Sequence, residues 1–258
     1  MFREAAGVGT GGEDYRVRML ARRRPQPESP PLLNARRWQS YVAANRRRWK
    51  GHLPKDREVR ILDVGCGDGA FVKFLQEEGY RNARGFDADA VSIDQGQARG
   101  VRGIFAADLR RYFRESECIG CWDMILVLNV IEHLTKQEVL DLLGDVYQSL
   151  RPGGVVWIRT PNAAGLFGGY TRYIEFTHEN AFTTSSLREV LDFVGFEGIQ
   201  FRPWGPVPHG LRSICRYVGW KGVEAILRLV SILEVASDRG GIFTADFWAS
   251  AKRPGDDG

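Results

Sequence analysis

The sequence predicts an α/β fold: a mostly parallel sheet of seven strands with helices on both faces. Three observations carry this. Short apolar runs alternate with segments of helical spacing from residue 59 onward. The first run, Val59-Arg60-Ile61-Leu62-Asp63-Val64, is apolar enough for a strand buried on both sides. It passes directly into Gly65-Cys66-Gly67-Asp68-Gly69 and then Ala70-Phe71-Val72-Lys73-Phe74-Leu75, which reads as a strand, a glycine turn and a helix N-terminus.

Ahead of that unit, residues 1–33 are rich in Gly, Pro and Arg and lack apolar periodicity. Arg22-Arg23-Arg24-Pro25-Gln26-Pro27 and Pro30-Pro31 argue against a helix, so a disordered basic tail is expected. The formal net charge of +4 hides an asymmetry: residues 1–50 hold 12 Lys and Arg against 4 Asp and Glu, leaving 24 against 28 in the rest. The basic excess suits contact with anionic headgroups or nucleic acid, or plain solvation.

Asn34 is placed to cap a helix running to Lys50, with Trp38, Tyr41, Val42 and Trp49 near one face and Pro54 ending it. After the glycine turn, residues 82–87 read as a second strand ending in Asp87, and residues 101–106 as a third ending near Asp108. Residues 122–128 are a fourth, strongly apolar strand. Residues 135–150 form a helix with Val139, Leu142, Leu143, Val146 and Leu150 on one side. Arg151-Pro152-Gly153-Gly154 stops it, and Val155-Val156-Trp157-Ile158 opens a fifth strand. Residues 184–194 then read as a helix and 197–201 as a strand. Residues 211–236 read as a longer helical stretch interrupted by Gly219 and Gly222, and 241–249 as the final strand. Such alternation puts a ligand at the carboxyl ends of the strands.

At 258 residues and 43% apolar content, the chain can bury one sizeable core. No run approaches 18 apolar residues, so no transmembrane helix is expected, and the N-terminus lacks a signal-type apolar core. Cys66 and Cys215 are single, and Cys118-Ile119-Gly120-Cys121 lacks the second pair that a zinc site needs. A reducing, cytoplasmic setting without a metal site is expected.

Taken alone, the glycines are ambiguous. Gly65-x-Gly67-x-x-Ala70 also fits a dinucleotide turn with Asp87 as its ribose-binding acid, and a turn without a ligand is a third reading. Three carboxylates narrow the choice: Asp63, Asp87 and Asp108 lie at or just past successive strand ends. Acids there suit a cation that carries free ribose hydroxyls and an exocyclic amine, and S-adenosylmethionine is such a compound.

Asp63-x-Gly65-x-Gly67-x-Gly69, Asp87, Asp108-Leu109, Asn129-Val130-Ile131-Glu132-His133-Leu134 and Leu150-Arg151-Pro152-Gly153-Gly154 together resemble the class I S-adenosylmethionine-dependent methyltransferases over roughly residues 55–205. The resemblance implies a Rossmann-like sheet whose last strand is antiparallel. It makes residues 55–205 the cofactor-binding core of one domain spanning 34–258, with 206–258 as a C-terminal helix and last strand. It also implies roles. Asp63, Gly65, Cys66 and Gly67 would hold the methionine part; Asp87, with Ala88 beside it, the ribose; Asp108 the adenine amine, with Leu109 against the ring; and the Asn129 backbone the sulfonium side. As a helix cap, Asp108 has a purely structural alternative.

Thr160-Pro161-Asn162, then Arg172-Tyr173-Ile174-Glu175-Phe176-Thr177-His178-Glu179 and Phe182-Thr183, resemble methyltransferases of bacterial surface-glycan and O-antigen biosynthesis, with Glu175 where many relatives carry Asp. The expected reaction is O-methylation of a sugar in a surface polysaccharide or its lipid-linked precursor. Its rivals are a quinone-type phenol acceptor, a nucleic-acid acceptor and a nonenzymatic cofactor-binding protein. No Asn/Asp-Pro-Pro-Tyr/Phe motif follows the fourth strand, which disfavours methylation of base amines.

A sugar hydroxyl is a poor nucleophile and gains from a general base. His178 is the first candidate, because Glu175 and Glu179 are near enough in sequence to orient it; bonding to the backbone to stiffen its loop is the alternative. His133, beside Glu132, is the second, and shaping the cofactor pocket is its other role. Tyr170, Arg172 and Tyr173 are candidates to touch the acceptor, Arg172 above all an anionic one. Residues 211–236, with Arg212, Arg216, Lys221 and Arg228, suit a membrane surface, a core face or a dimer contact. Peripheral contact with the inner membrane and a monomeric or homodimeric state are left open.

Overall fold

The structure is a computed structural model that describes residues 34–115, 119–235 and 241–255. The expected basic tail over residues 1–33 and the Cys118 thiol lie outside the described residues.

Five strands, β1 (Ile61–Val64), β2 (Ala83–Asp87), β3 (Ile104–Ala106), β4 (Trp122–Leu128) and β5 (Leu150–Pro161), run parallel. β7 (Asp246–Lys252) inserts antiparallel between β5 and β6 (Glu197–Pro203), giving the order β3-β2-β1-β4-β5-β7-β6. The seven-stranded sheet with its antiparallel last strand is therefore as expected. The strand order reverses between β1 and β4, and that reversal opens a crevice at their carboxyl ends.

Local chemistry explains most elements. The Asn34 side chain accepts from the amides of Arg36 and Arg37 and starts α1 (Ala35–Arg48). Helices α2 (Ala70–Glu77), α3 (Ala90–Ala98) and α4 (Leu109–Glu115) follow the first three strands. Thr135 and Glu138 form a capping box that starts α5 (Lys136–Ser149). A short α6 (Gly168–Tyr173), not predicted, follows β5, and α7 (Thr184–Val194) has the predicted limits. One core lies between β1, β4, β5 and α5 with α7; the other lies between the opposite face, α2 and α1.

Three expectations need correction. Arg151-Pro152-Gly153-Gly154 does not separate helix from strand: Leu150 already pairs with Trp122, and Gly153, at φ +75°, kinks a strand whose edge is held by Arg253. Gly219 and Gly222 do not interrupt the last helix, which runs unbroken as α8 (Leu211–Val235). A glycine costs an exposed helix only about 1 kcal/mol, too little to break one this long. The final strand starts at Asp246, not 241, because Asn162 takes the carbonyls of Ile242 and Thr244 with its side chain and that of Ala245 with its amide. The His52 ring, just past α1, packs edge-on against Trp157 and Trp248. Those two indoles also receive Trp49, at 5.1 and 4.9 Å, which fastens the end of α1 to the sheet.

Helix α8 is built inside out. Its buried side chains are the polar Glu224 and Ser231, while Leu211, Ile226, Leu229 and Leu233 are exposed. At 100° per residue the exposed apolar positions share one broad arc, with Arg212 and Arg216 along one border and Lys221 and Arg228 along the other.

Candidate active site

The crevice is built on the turn after β1. The amides of Gly65 and Cys66 both donate to the Phe86 carbonyl, at 2.9 and 3.0 Å, so the turn hangs on the end of β2. The Gly67 amide donates to Asp87 Oδ2 at 2.8 Å, and the Asp89 amide to Oδ1 at 2.8 Å. Two of the glycines serve different ends. A Cβ on Gly65 would come within 2.6 Å of Val130, so glycine lets the chain after β4 close on the turn. A Cβ on Gly67 would meet nothing within 4 Å, so this glycine faces the open crevice at φ +56°.

Asp63, Gly65, Cys66, Gly67, Asp87 and Ala88 thus lie along the carboxyl ends of β1 and β2, in one place. Asp63 is buried, and burial together with the Asp87 charge pushes its carboxyl up to about 8. Burial also raises Asp87 and drives the Cys66 thiol far up, so Cys66 is no thiolate nucleophile. Among the described residues no Lys, Arg or His pairs with Asp63 or Asp87; the nearby Arg99 binds Asp68 instead. Two carboxylates taken from water without a cation are costly. The residues therefore fit a cationic ligand and oppose a pyrophosphate, which resolves the ambiguity of the glycines.

Asn129 follows β4 at φ +59°, a left-handed backbone that asparagine tolerates better than most residues, and its amide donates to the Arg159 carbonyl. Asp108 accepts from the Arg111 amide at 3.1 Å and so starts α4, with partly buried Leu109 beside it. The helix-cap role is thus in place.

The histidines converge from two strand ends. Glu132 and His133 lie on a 3₁₀ turn, Ile131–His133, just past β4. The segment after α6 folds back on it: the amides of Glu179 and Asn180 donate to the Glu132 carbonyl, at 2.8 and 3.0 Å, and the Asn180 side chain to that of Leu134. This brings the His133 and His178 rings to 4.8 Å. His178 Nδ1 lies 2.9 Å from the Thr171 carbonyl, and its Nε2 lies 3.7 Å from Glu175. The stiffening contact and the carboxylate partner expected of His178 are both present. Burial pushes Glu132 up to about 8, against the nearby Arg159.

Arg172 is not placed as expected. Its guanidinium donates to the carbonyls of His178 and Glu179 and braces the loop, so it is spent on the backbone. Tyr170 and Tyr173 remain exposed at the rim. Sequence reasoning missed Tyr41 and Arg159 as members of the site. From α1, Tyr41 feels both Asp63 and Arg159, and burial raises its hydroxyl. Arg159 binds Asp246 through Nε and Nη2, and stacks over Trp204, which Arg48 also covers. No local motif marks these residues; they meet only through the crossing of α1 over the sheet.

A family model described as a methyltransferase domain matches residues 22–200. A probable S-adenosylmethionine-dependent methyltransferase of Mycolicibacterium smegmatis is 28% identical over 138 residues, covering 53% of this chain and 51% of its own length. A ubiquinone biosynthesis O-methyltransferase of Rickettsia bellii is 29% identical over 114 residues, covering 44% and 46%. The chain thus spans about half the length of these relatives. The crystal structure of a SAM-dependent methyltransferase from Archaeoglobus fulgidus superposes with a TM-score of 0.61 at 20% identity, over 83% of this chain and 94% of that one, and so shares the fold.

Proposed function

Because the chain belongs to the methyltransferase-domain family, we propose that it transfers a methyl group from S-adenosylmethionine to a hydroxyl, most naturally that of a sugar in a surface polysaccharide or its lipid-linked precursor. The observation that carries the cofactor is the buried Asp63 beside Asp87, with no cationic partner among the described residues, at an open glycine turn. When bound, the cofactor supplies a methyl already activated on a sulfonium.

The chain's own residues do the rest. Asp63 faces the positive charge, and the turn from Gly65 to Gly67, held in shape by Phe86 and Asp87, frames the methionine part. Asp87 still has lone pairs for ribose hydroxyls, beside its two backbone bonds. Ala88 stands beside Asp87 at the ribose, Asp108 and Leu109 border the base, and the Asn129 backbone borders the sulfonium. Positioning of this kind supplies on the order of 7–11 kcal/mol at best. The acceptor proton is removed at the cluster of His178, His133 and Glu132, with Glu175 orienting His178.

Support for a sugar comes from the rim, where Tyr170, Tyr173 and Phe176 stand exposed beside His178, as flat rings on which a sugar can stack. Support for a lipid-linked acceptor comes from α8. Its outward apolar arc with cationic borders suits the surface of an anionic bilayer, and no described helix is long and apolar enough to cross one. The Rickettsia bellii relative's name favours a second reading, a quinone-type phenol; this too is a hydroxyl acceptor.

Calorimetry with S-adenosylmethionine and with NAD tests the cofactor. Transfer of labelled methyl to lipid-linked glycans and to catechol-type phenols tests the acceptor. Binding of NAD alone overturns the reading, and transfer to the phenol alone replaces the sugar.

A further inference from the structure

We infer that Glu132, His133 and His178 form a site for one divalent cation of the kind that takes mixed imidazole and carboxylate ligands, and that this cation holds the acceptor's hydroxyl oxygen. The inference rests on the hydroxyl-methylating reading above and changes the activating agent from an imidazole to a cation.

The three side chains each offer a ligand atom, and these atoms all lie within 4.8 Å of one another. Ligands stand about 2.0–2.2 Å from such an ion, so small side-chain rotations bring all three onto one centre. The hydrogen bonds behind the rings set the right tautomers. His133 Nδ1 lies 3.3 Å from the Thr177 carbonyl, and His178 Nδ1 lies 2.9 Å from the Thr171 carbonyl. A carbonyl only accepts, so each Nδ1 carries the hydrogen and each Nε2 presents its lone pair. An imidazole anchored on a backbone carbonyl through its far nitrogen is the usual support of a ligating histidine. Glu132 is anchored likewise: Thr160 Oγ1 donates to Oε2 at 3.3 Å.

The cluster is also rigid and dry. Glu132 and His178 are buried, and the backbone of residues 179–180 is stitched to the Glu132 carbonyl. Two imidazole lone pairs and a carboxylate held together out of water are stabilised by a cation between them. Glu175, 3.7 Å from His178 Nε2, stands next to the centre rather than in it. Nitrogen and oxygen donors in this ratio suit Zn²⁺, Mn²⁺ or Fe²⁺ better than Ca²⁺.

The chemistry follows. An acceptor hydroxyl on the cation becomes more acidic. Its O–H bond breaks with the electron pair left on oxygen, and the proton passes to the Glu175 carboxylate and on to water.

The test uses the full chain stripped with a chelator. Mn²⁺ alone is titrated and followed by electron paramagnetic resonance, and Zn²⁺ content is measured after dialysis. One bound ion per chain is expected. Its affinity should fall roughly 10–100-fold or more in Glu132→Gln and in His133→Gln, with S-adenosylmethionine affinity little changed. No binding of either ion to the wild-type chain, or equal binding in both variants, overturns the site. Turnover that persists in chelator overturns it too, and leaves the imidazole as the base. Ion binding lost in both variants, without transfer to any hydroxyl, upholds the site and sinks the hydroxyl reading instead.

Discussion

The Gly67 amide donates to Asp87 Oδ2 across 2.8 Å, joining the glycine turn after β1 to the end of β2. One carboxylate therefore shapes the turn and faces the crevice. Replacing Asp87 by Ala should weaken S-adenosylmethionine binding about 10–100-fold, the equivalent of roughly 1.5–3 kcal/mol for a hydrogen bond to a charged group. Calorimetry checks this; an unchanged affinity removes Asp87 from the ribose contact.

Asp63 makes both stability and binding depend on pH, with opposite signs. Its carboxyl is raised from 3.8 to about 8, so between these values the folded chain keeps a proton that the unfolded chain has released. The ligand-free protein should keep this contribution fully below about pH 4 and lose it as pH rises through about 8. A cationic cofactor prefers the ionised carboxylate, so its affinity should rise over the same window. Melting temperatures and calorimetric titrations at pH 6 and pH 8.5 check both trends, and Asp63→Asn should flatten both.

His178 sits between the Thr171 carbonyl and Glu175. His178→Gln should lower turnover by about 10²–10⁴, the usual worth of activating a nucleophile, with cofactor affinity nearly unchanged. Steady-state kinetics beside cofactor calorimetry separates the two effects. Turnover at the wild-type level would remove the residue from the chemistry.

The exposed arc of α8 should hold the protein on vesicles containing anionic lipid, and raising the salt should release it as the cationic borders are screened. Leu229→Glu with Leu233→Glu should abolish co-sedimentation without lowering the melting temperature, since neither side chain is buried.

Trp49 is 1% exposed and packs on Trp157, Trp248 and Phe71. Trp49→Ala should cost about 3–5 kcal/mol in denaturant unfolding. It should also loosen α1, so that Tyr41 is no longer held beside Asp63 and cofactor affinity drops as well.

Much of this was legible in the chain. The Asn34 cap, the α7 limits and the turn after β1 are signalled by residues within a few positions of one another, where capping, periodicity and glycine chemistry act. The glycines misled where strand pairing or the length of a helix outweighed local preference. Gly153 sits inside a strand because Leu150 already pairs with Trp122, and Gly219 and Gly222 sit inside a helix of 25 residues. Arg172 looked like an acceptor contact, yet its donors go to two carbonyls of its own loop.

By itself, then, the sequence determined the alternation of strands and helices, the glycine turn and the acids at the strand ends, because the 2.0 and 3.6 periods and turn chemistry are local. Only the tertiary structure decided that Tyr41 comes within reach of the Asp63 charge, that Arg159 joins the site, and that His133 meets His178. Those neighbours come from segments far apart in the chain, joined by backbone hydrogen bonds and indole packing that no spacing along the chain encodes.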